Sequence, residues 1–558
     1  MVARTLAVAA VLVAAAAAVP TDSRADAGSD PGRAAVTGTV DGYDWTLPAG
    51  TDRAPNSGFF SEYPSARIDL RGLDLTWRQV QPRPGALSTS TTGTAYGMDL
   101  ASLSDQLDDS SDFWMRMFAS GKPWAPRWVT RKCDAPTVGP DYDGMRHLPI
   151  WQPCVWTQLR DTWRRLMIGA DLRSDDRLRF VYVPGAFTWA EFDYDMVDAG
   201  VRQTGLTFRQ YRRWHQRMVA DLVAIMNGNN DDPSDDYAYK LVYTGEDYPY
   251  SGRFGDRVAL FARDAVVAGM GIRNGITEVF NNHLGEVPAY GTTIGEDGHL
   301  HTDDDWQLFD GRRVAAAENE CYTDCGFHSQ DPLWSVPMSN LKALQLRMNW
   351  IYAVPGPSRF NALADHWAWV RLEVGHTAET APDAWVALRD AEDRYWKERG
   401  DKTWDGFPYV RNLERWLVQR DVAADGTPVR GSLVRQGDPD PYNGKSFESL
   451  RTDVSDGQDR IYFDVDEDFL GSAPGAVELK VTYRGFAGRT WRVGYRTTSD
   501  VLVTSPVVTG TGAGALRTVT FTVPDASFDD SLAASTDFYL EALNGDLEAS
   551  FVRLVKLP

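Results

Sequence analysis

The chain has 558 residues, 43% of them hydrophobic and 24% charged, which is the balance of a globular protein with more than one domain rather than of a disordered chain. Its formal net charge is −21, with 78 acidic and 57 basic residues. This acidic excess argues against nucleic acid and against an anionic membrane as partners, because both bind basic surfaces.

The N-terminal segment has the pattern of a secretory signal peptide. Arg4 supplies a positive charge, an alanine-rich apolar run covers residues 6–19, and either the alanines of 16–18 or Ala25-Asp26-Ala27 offer small residues for cleavage. No later run reaches the roughly 20 apolar residues that cross a bilayer. We therefore expect residues 1–27 to be a signal peptide and the mature protein to be secreted, with no membrane as partner.

Between residues 28 and 375, short apolar runs alternate with amphipathic stretches. The runs that predict strands lie at residues 73–77, 113–118, 178–183, 240–244, 275–280, 314–317 and 348–352, with a weak one near residue 150. Helix-like stretches lie between several of them, at 156–170, 208–227 and 257–269. Seven or eight such repeats are typical of a (β/α)8 TIM barrel. A doubly wound sheet is the alternative, but no glycine-rich phosphate loop follows the first predicted strand.

The chain changes character near residue 430. Alternating runs such as 460–465, 477–483 and 538–543 are separated by Gly, Asp, Ser and Pro, which predicts an antiparallel β-sandwich over residues 430–558. We expect residues 376–429 to form a helical or irregular segment packed on the barrel. The predicted fold class is therefore α/β, a (β/α)8 TIM barrel followed by a C-terminal antiparallel β-sandwich.

Four cysteines fit two disulfides in an oxidising compartment. Three pairings are possible, and the local one, Cys133 with Cys154 and Cys321 with Cys325, closes two short loops. No Cys-x-x-Cys unit is present, so the spacing disfavours zinc. We expect neither a metal nor a cofactor.

Two glutamates directly follow runs that predict buried strands. Glu191 follows residues 185–190, and Glu318 follows the alanine-rich residues 314–317. In a parallel α/β fold, the carboxyl ends of the strands face the side on which enzymes keep their chemistry. Two carboxylates at that side make hydrolysis of a glycosidic bond the first reaction to consider, and the 20 Trp and 22 Tyr residues suit a carbohydrate as ligand.

Glycoside hydrolysis gives each carboxylate its own role. One protonates the departing oxygen and the other attacks the anomeric carbon, and in retaining enzymes the two lie about 5 to 5.5 Å apart. We assign Glu191 as acid/base and Glu318 as nucleophile. Glu320 is the alternative nucleophile, since strand alternation sends residues 318 and 320 to the same side. We prefer Glu318 because Glu320 adjoins the expected Cys321 bridge.

Other residues near strand ends are candidates for substrate binding. Arg116 could orient the nucleophile or form a buried structural ion pair. Trp77, Trp189 and Trp350 could stack beneath a sugar or pack in the core. The side chains that we expect to hold sugar hydroxyls follow the fifth and sixth barrel strands: Glu246, Asp247, Asn281, Asn282 and His283.

Three segments resemble the clan A glycoside hydrolases, which are retaining TIM-barrel enzymes. Residues 68–85 are similar to their first barrel strand, where a pattern W-x-x-x-x-P-x-x-G, here Trp77 to Gly85, leads into the first helix. Residues 185–192 resemble the end of their fourth strand, which carries the acid/base, and the strand before Glu318 resembles their seventh, which carries the nucleophile. Many of these families have Asn before the acid/base, where this chain has Ala190.

The resemblance implies a secreted enzyme that cleaves a poly- or oligosaccharide. The alternative is a non-catalytic secreted carbohydrate-binding or cell-surface protein on the same scaffold. An esterase and a zinc protease are disfavoured, because the Gly-x-Ser-x-Gly and His-Glu-x-x-His motifs are absent. The glycan, its anomer and linkage, exo or endo action, sugar binding by the sandwich and the oligomeric state stay open at this point.

Overall fold

The structure of the protein is a computed structural model. It describes residues 34–63, 65–141, 143–185, 188–192, 194–228, 233–244, 259–274, 292–294, 300–302, 311–319, 332–353, 363–388, 403–404, 407–408, 412–422, 429–435, 446–471 and 475–557. The predicted signal peptide lies outside these residues. So do several candidate site residues and two cysteines: Glu246, Asp247, Asn281, Asn282, His283, Glu320, Cys321 and Cys325.

Eight parallel strands close into a barrel, as we expected. In chain order they are Gly58–Ser61, Leu70–Thr76, Phe113–Phe118, Leu178–Tyr182, Leu241–Thr244, Gly271–Asn274, Ala315–Asn319 and Trp350–Ala353. Each strand pairs with the next one along the chain, and the eighth pairs with the first, through Ile351 and Phe59. All eight carboxyl ends therefore meet at one end of the barrel.

Three parts of the strand prediction differ from the structure. The run near residue 150 is not a strand but leads into the helix Pro153–Arg164. The first barrel strand is instead Gly58–Ser61, which has only four residues and so gives little periodic signal. Leu70–Thr76, in the segment that resembles the first strand of clan A enzymes, is therefore the second strand of this barrel. These two errors compensate, so residues 178–182 form the fourth strand and Glu318 lies in the seventh. The sixth strand is Gly271–Asn274 rather than 275–280, which lies outside the described residues.

Helices connect several of the strands and cover the barrel. The described α-helices are Trp77–Val80, Leu103–Leu107, Arg127–Cys133, Pro153–Arg164, Tyr194–Gln203, Phe208–Met226, Ala259–Val267, Pro332–Gln345, Ala364–Glu373 and Glu467–Leu470. A π-helical turn, Arg165–Gly169, follows Pro153–Arg164, and 3₁₀ turns lie at Thr188–Ala190, Pro233–Asp235, Ala238–Lys240 and Val454–Asp456. Among these helices, none combines the length and the apolar character needed to cross a bilayer.

The longest described helix, Phe208–Met226, shows how the sequence determines the start and the buried face of a helix on the barrel. Thr207 and Gln210 form a capping box at its start, which satisfies backbone donors that the helix leaves open. Its apolar face is buried, and Trp214 lies edge to face with Trp156 of the neighbouring helix.

The predicted disulfide between Cys133 and Cys154 is confirmed, and it joins the end of one helix to the start of the next.

His215 on this helix predicts a specific acid sensitivity. The ring is fully buried among Phe192, Tyr243 and Phe261, and neither ring nitrogen has a hydrogen-bond partner among the described residues. Burial lowers the pKa of His215 to about 3. His215 therefore becomes protonated near pH 6.5 in the unfolded chain but stays neutral at that pH in the folded protein. Its contribution to the free energy of unfolding is complete above pH 6.5 and is lost progressively as the pH falls below it.

We expect the histidine to lower the free energy of unfolding by about 2 kcal/mol between pH 7.5 and pH 5. Denaturant unfolding of the wild type and of His215→Phe at both pH values measures this loss. The variant should lose less stability on acidification by about that amount. Equal losses in the two proteins would show that His215 does not titrate in this way.

Two antiparallel sheets make up the second unit. The first has the order Ala35–Asp41, Ala513–Val523, Val477–Phe486, Glu548–Lys556, Asp383–Ala387 and Leu413–Arg415, with Ser446–Arg451 also on Glu548–Lys556 and Val429–Arg435 beyond it. The second has the order Leu417–Arg420, Arg460–Val465, Phe538–Asn544, Thr490–Arg496 and Leu502–Thr504, with Val508–Thr509 also on Thr490–Arg496. Alternate residues of both sheets, such as Val481 and Leu540, share one hydrophobic core.

This unit draws strands from beyond the expected segment 430–558. Ala35–Asp41 pairs with Ala513–Val523, and three further strands of these two sheets, Asp383–Ala387, Leu413–Arg415 and Leu417–Arg420, lie within residues 376–429, where we expected helix or irregular chain. These strands have three to five residues each, too few for a clear alternation. Trp416, in the left-handed region with φ 55°, turns the chain from the first sheet into the second.

Buried ions and aromatic rings join the barrel to the sheets. Arg553 of the first sheet pairs with Asp383 at 2.5 Å, and Asp383 also accepts a hydrogen bond from the indole of Trp369, on the helix that follows the last barrel strand. Trp45 packs against Trp369 at 4.8 Å between ring centres.

Three short hairpins complete the described strands: Gly93–Ala95 with Met98–Leu100, Thr292–Ile294 with Leu300–Thr302, and Thr403–Trp404 with Phe407–Pro408.

Candidate active site

The interior of the barrel changes from apolar to charged toward the carboxyl ends of its strands. Side chains alternate between the interior and the helices. The deeper interior positions are apolar: Phe60, Leu70, Trp114, Phe180, Val242, Ala316 and Trp350. The positions two or four residues further along the same and neighbouring strands are mostly polar: Glu62, Asp74, Arg116, Tyr182, Arg273, Glu318 and Tyr352. A charged layer therefore caps an apolar plug at the end where barrel enzymes bind substrates.

Arg273 brings the two predicted catalytic glutamates together. Its Nη2 atom donates to Oε1 of Glu191 at 2.8 Å, and the same nitrogen contacts Oε1 of Glu318. Two oxygens bonded to one nitrogen are separated by at most two hydrogen-bond lengths, or about 6 Å. This upper limit includes the spacing of retaining glycosidases, about 5 to 5.5 Å, and lies below the about 6.5 to 9.5 Å of inverting enzymes.

The side chains of Arg273, Glu191 and Glu318 differ in their exposure to solvent. The side chain of Arg273 is 4% exposed, that of Glu318 12% and that of Glu191 22%. The guanidinium carbon of Arg273 lies 5.6 Å from the ring centre of Tyr182, and burial raises the pKa of that phenol, which stays neutral. The cation therefore lies beneath the two carboxylates, and Glu191 is the one more open to solvent.

A strained turn after the fourth strand positions Glu191. Trp189 and Ala190 both have left-handed backbones, with φ 52° and 66°, which for non-glycine residues costs about 1 kcal/mol or more each. The amide of Gly185 donates to the carbonyl of Ala190 at 3.1 Å, and a Cβ at Gly185 would collide with that carbonyl. The amide of Phe192 donates to the carbonyl of Thr244 at 3.1 Å. The turn is thus tied to the fifth strand on the far side of Glu191.

Ala190 shows how this chain departs from the clan A pattern. The residue is 1% exposed and packs in a cluster with Phe118 and Trp124. A buried methyl group cannot make the substrate hydrogen bond of the Asn that many clan A families have there.

A second ion cluster lies beside the first. Arg116 donates to both carboxylate oxygens of Asp74, at 3.0 and 2.8 Å, and lies 4.0 Å from Glu62, which in turn accepts from the hydroxyl of Tyr352. Burial alone would lower the pKa of Arg116, but the charges of Asp74 and Glu62 outweigh it and raise that pKa. The sequence left two roles for Arg116 open, orienting the nucleophile or forming a buried structural ion pair. Its hydrogen bonds go to Asp74, which is the structural ion-pair alternative.

The three candidate tryptophans have different surroundings. Trp189 is half-buried and stacks on Tyr96 with ring centres 4.1 Å apart, next to Glu191 in the chain. Trp77 is fully buried on the helix side, with its indole donating to Thr162 at 2.8 Å, and Trp350 is 3% exposed inside the barrel. Trp77 and Trp350 are therefore core residues rather than stacking platforms. Of the three, only Trp189 is partly exposed to solvent.

Sequence reasoning missed several members of the charged layer, namely Glu62, Asp74, Tyr182, Arg273 and Tyr352. Asp74 and Arg116 had a detectable signal, since a charged residue alternates with apolar ones in Leu73-Asp74-Leu75 and Met115-Arg116-Met117. Such a residue in a barrel strand must face the interior, because the other face packs on helices. Arg273 had no such signal, because the sixth strand was expected further along the chain.

A buried hydrogen-bonded row supports the loop after the third strand. Oγ of Ser120 lies 2.9 Å from Nδ1 of His147, and Nε2 of His147 lies 2.7 Å from Asp141. Burial lowers the pKa of His147, against the opposing influence of Asp141. Although the residue types match a serine-hydrolase triad, Ser120 is 1% exposed. Ser120 is therefore too buried to attack a substrate, and we assign these hydrogen bonds a structural role in stabilising the loop.

The acidic side chains of the second unit include one cluster of three. Oxygens of Asp464, Asp530 and Asp537 lie within 4.8 Å of one another. Asp464 pairs with Arg420 at 2.8 Å, and Asp537 accepts hydrogen bonds from the amides of Val465 and Asp530. Two of the three carboxylates thus already have partners within the protein, and we assign no metal to the cluster.

Comparison with known proteins does not indicate a function, so the functional argument rests on the geometry of this site. The chain matches no model of a protein family and no curated protein sequence. The position of Glu191 and Glu318 at the carboxyl ends of the fourth and seventh strands, on a shared guanidinium, is therefore the main functional observation.

Proposed function

We propose that the protein is a secreted, retaining glycoside hydrolase that cleaves O-glycosidic bonds of a poly- or oligosaccharide without a cofactor or metal. The observation that carries the proposal is the contact of Glu191 and Glu318 with the same nitrogen of Arg273. It brings two carboxylates within about 6 Å of each other at the end of the barrel where substrates bind. In this proposal the closed barrel and its helices form a (β/α)8 TIM barrel, and the two antiparallel sheets form a β-sandwich.

The proposed reaction has two steps. In the first, a carboxylate oxygen of Glu318 forms a bond to the anomeric carbon while the bond to the leaving oxygen breaks, and Glu191 gives that oxygen its proton. In the second, Glu191 takes a proton from water, the water oxygen bonds to the anomeric carbon, and Glu318 is released. The greater exposure of Glu191 supports its role as the group that exchanges protons with the leaving group and with water.

Secretion is supported by two features. The N-terminal segment has the pattern of a signal peptide. The Cys133–Cys154 disulfide is typical of proteins that fold in an oxidising compartment. Both fit an enzyme that acts on a polymeric substrate outside the cell.

A non-catalytic carbohydrate-binding protein is the second candidate, and one observation favours it. Arg273 pairs with both Glu191 and Glu318, and ion clusters of this kind also occur as purely structural features. Under this alternative the cluster would hold the barrel end together. A sugar would then bind without being cleaved.

Sugar release from a panel of plant, microbial and algal polysaccharides separates the two candidates. The mature protein is assayed beside Glu191→Gln and Glu318→Gln, with Asp500→Asn as the control, because the side chain of Asp500 is 84% exposed on the second unit. The proposal expects release by the wild type and by the control, and a loss of several orders of magnitude in both glutamine variants. Binding without release, or release that both glutamine variants retain, would overturn it.

Arg273 gives a further prediction as a positioning residue. Since it anchors the nucleophile through a buried contact, Arg273→Gln should lower kcat by about 10² to 10³-fold, whereas Arg273→Lys keeps a cation and should recover part of the loss. The measurement is kcat and KM for each variant, with thermal unfolding alongside. A change in KM alone would contradict the positioning role, because it would place Arg273 in substrate binding.

A further inference from the structure

A groove on the outside of the barrel has positive charges in its lining and no negative ones. It lies between the start of the helix Pro153–Arg164 and the first half of the helix Phe208–Met226, and its volume is about 380 Å³. The described residues that line it include Gln152, Pro153, Leu206, Gln210, Arg213 and Arg217. Of all the described residues in this lining, only the two arginines are charged. We call it the arginine groove.

The two arginines have no partner within the part of the chain that the structure describes. Both are exposed, and neither forms an ion pair or a hydrogen bond with a described residue. Arg212, on the same helix, pairs instead with Asp264 at 2.9 Å. Arg213 and Arg217 are four residues apart, so they lie on one face of the helix with Cβ atoms about 5 to 6 Å apart. Both guanidinium groups can therefore reach one oxyanion.

Other groups in the lining are also hydrogen-bond donors. The helix Pro153–Arg164 begins at Gln152 without a side-chain cap, so the amides of its first turn lack acceptors and carry partial positive charge. The side-chain oxygen of Gln210 accepts from the amide of Thr207 at 2.8 Å, which leaves its NH₂ group as a donor. Trp214 lines the groove, is 3% exposed, and its indole N–H has no acceptor among the described residues. These groups favour a negatively charged acceptor.

The size of the groove indicates an organic ligand rather than an inorganic ion alone. A water molecule occupies about 30 Å³ in the liquid, so a single inorganic ion would leave most of the 380 Å³ unused. Pockets that hold small organic molecules begin at about 300 Å³. Pro153 and Leu206 add apolar surface to the lining. The ligand that fits best therefore combines one oxyanion with a body of about the size of a ring.

The position of the groove separates it from the proposed catalytic centre. Both helices lead back to the start of the next barrel strand, so their first turns lie toward the end of the barrel that carries Glu191 and Glu318. The groove itself is on the outside of the barrel, and none of its lining residues belongs to the charged layer inside. Binding there would not block the two glutamates.

We propose that the arginine groove binds a ring-sized organic anion. Its carboxylate or sulfate group accepts hydrogen bonds from Arg213 and Arg217, and its ring lies along Pro153 and Leu206. Uronic acids and sulfated sugars have this chemistry, so in an enzyme that cleaves glycans the groove would hold an acidic sugar unit beside the catalytic end of the barrel. The site does not depend on the hydrolase proposal, because it uses neither Glu191 nor Glu318.

Titration of the mature protein with charged and neutral sugars tests this site. The probes are methyl glucuronide, glucose 6-sulfate, methyl glucoside and sodium sulfate, and binding is measured by calorimetry and saturation-transfer NMR. We expect at least one of the two anionic sugars to bind, and methyl glucoside to bind at least tenfold more weakly. The double change Arg213→Gln with Arg217→Gln should weaken binding of the anionic sugar by about tenfold or more.

Arg209→Gln is the matched control. Arg209 is exposed on the same helix, one turn before Arg213, and does not line the groove, so the change removes the same charge and should leave the affinity unchanged. Thermal unfolding checks that each variant is folded, which we expect because all three arginines are exposed.

Four results would overturn the proposal. They are no binding of either anionic sugar, equal binding of methyl glucoside, binding that the double variant retains, and an equal loss in Arg209→Gln. Binding of sodium sulfate without either sugar belongs to the first of these, because it would show recognition of charge alone. Sugar release plays no part in the readout, so this proposal and the hydrolase proposal can each fail without the other.

Discussion

Replacing Glu318 by alanine is expected to lower kcat/KM by on the order of 10⁵-fold, since it removes the group that bonds to the anomeric carbon. The side chain lies at the end of a barrel strand, and Arg273 keeps Glu191 as a partner when Glu318 is removed, so the variant should still fold. Kinetics with an aryl glycoside of the released sugar measure the effect. Circular dichroism and thermal unfolding of the same samples serve as the folding control.

Azide makes this prediction specific to the nucleophile. The truncated side chain leaves room for a small anion beside the anomeric carbon, so azide should restore turnover of Glu318→Ala and give a glycosyl azide of inverted configuration. The product configuration is read by NMR. Rescue that yields a retained product, or a Glu318→Ala protein with nearly wild-type activity, would contradict the assignment. A loss in Glu320→Ala of the same size with rescue would assign the role to Glu320.

Replacing Glu191 by alanine is expected to have an effect that depends on the leaving group. With natural glycans or a methyl glycoside, loss of the proton donor should lower kcat/KM by about 10³ to 10⁴-fold. With a dinitrophenyl glycoside, whose leaving oxygen needs no proton, the bond-breaking step should fall by about tenfold or less. Pre-steady-state kinetics separate this step from the second one, which needs the general base.

The same variant has a second signature. Azide should accelerate Glu191→Ala on the activated substrate and give a glycosyl azide of retained configuration, since the anion attacks the intermediate on Glu318 without help from a base. Equal losses with good and poor leaving groups would contradict the acid/base role. In that case the contact of Glu191 with Arg273 would be structural, like that of Asp74 with Arg116.

The contact between Arg273 and Glu191 has a consequence for catalysis. If Glu191 is the acid/base, as we propose, a glycosidic oxygen must come within hydrogen-bond reach of it, so the substrate would share or replace the 2.8 Å bond from Arg273. Glu318 is the less exposed of the two carboxylates and keeps its own contact with the guanidinium. Arg273 would then hold the nucleophile while the acid/base turns toward the substrate.

The sequence was sufficient for the barrel and for its two glutamates because both follow from strong local signals. The strands at 113–118, 178–182 and 241–244 are mostly apolar runs, as is typical of parallel strands covered on both faces. Strand alternation and the position after a strand placed Glu191 and Glu318 at the same end of the barrel. Their contact with one cation depends on the closure of the barrel, which no local pattern encodes.

The remaining features depend on long-range pairing. Gly58–Ser61 is a strand because it closes the barrel between the second and eighth strands, not because its four residues have a period. Ala35–Asp41 joins the second unit through a partner more than 470 residues away in the chain. Arg273 meets Glu191 from 82 residues away. Single-sequence patterns describe neighbours along the chain, so contacts of this kind cannot be read from them.

The most direct test of the account is to trap the covalent intermediate. The wild-type protein is incubated with a glycoside of the released sugar that carries an activated leaving group and a fluorine beside the anomeric carbon, which slows the second step. Intact mass and tandem mass spectrometry of the digest then locate the label. We expect one sugar per protein, attached to Glu318. A label on another carboxylate, or cleavage with inversion and no covalent adduct, would contradict it.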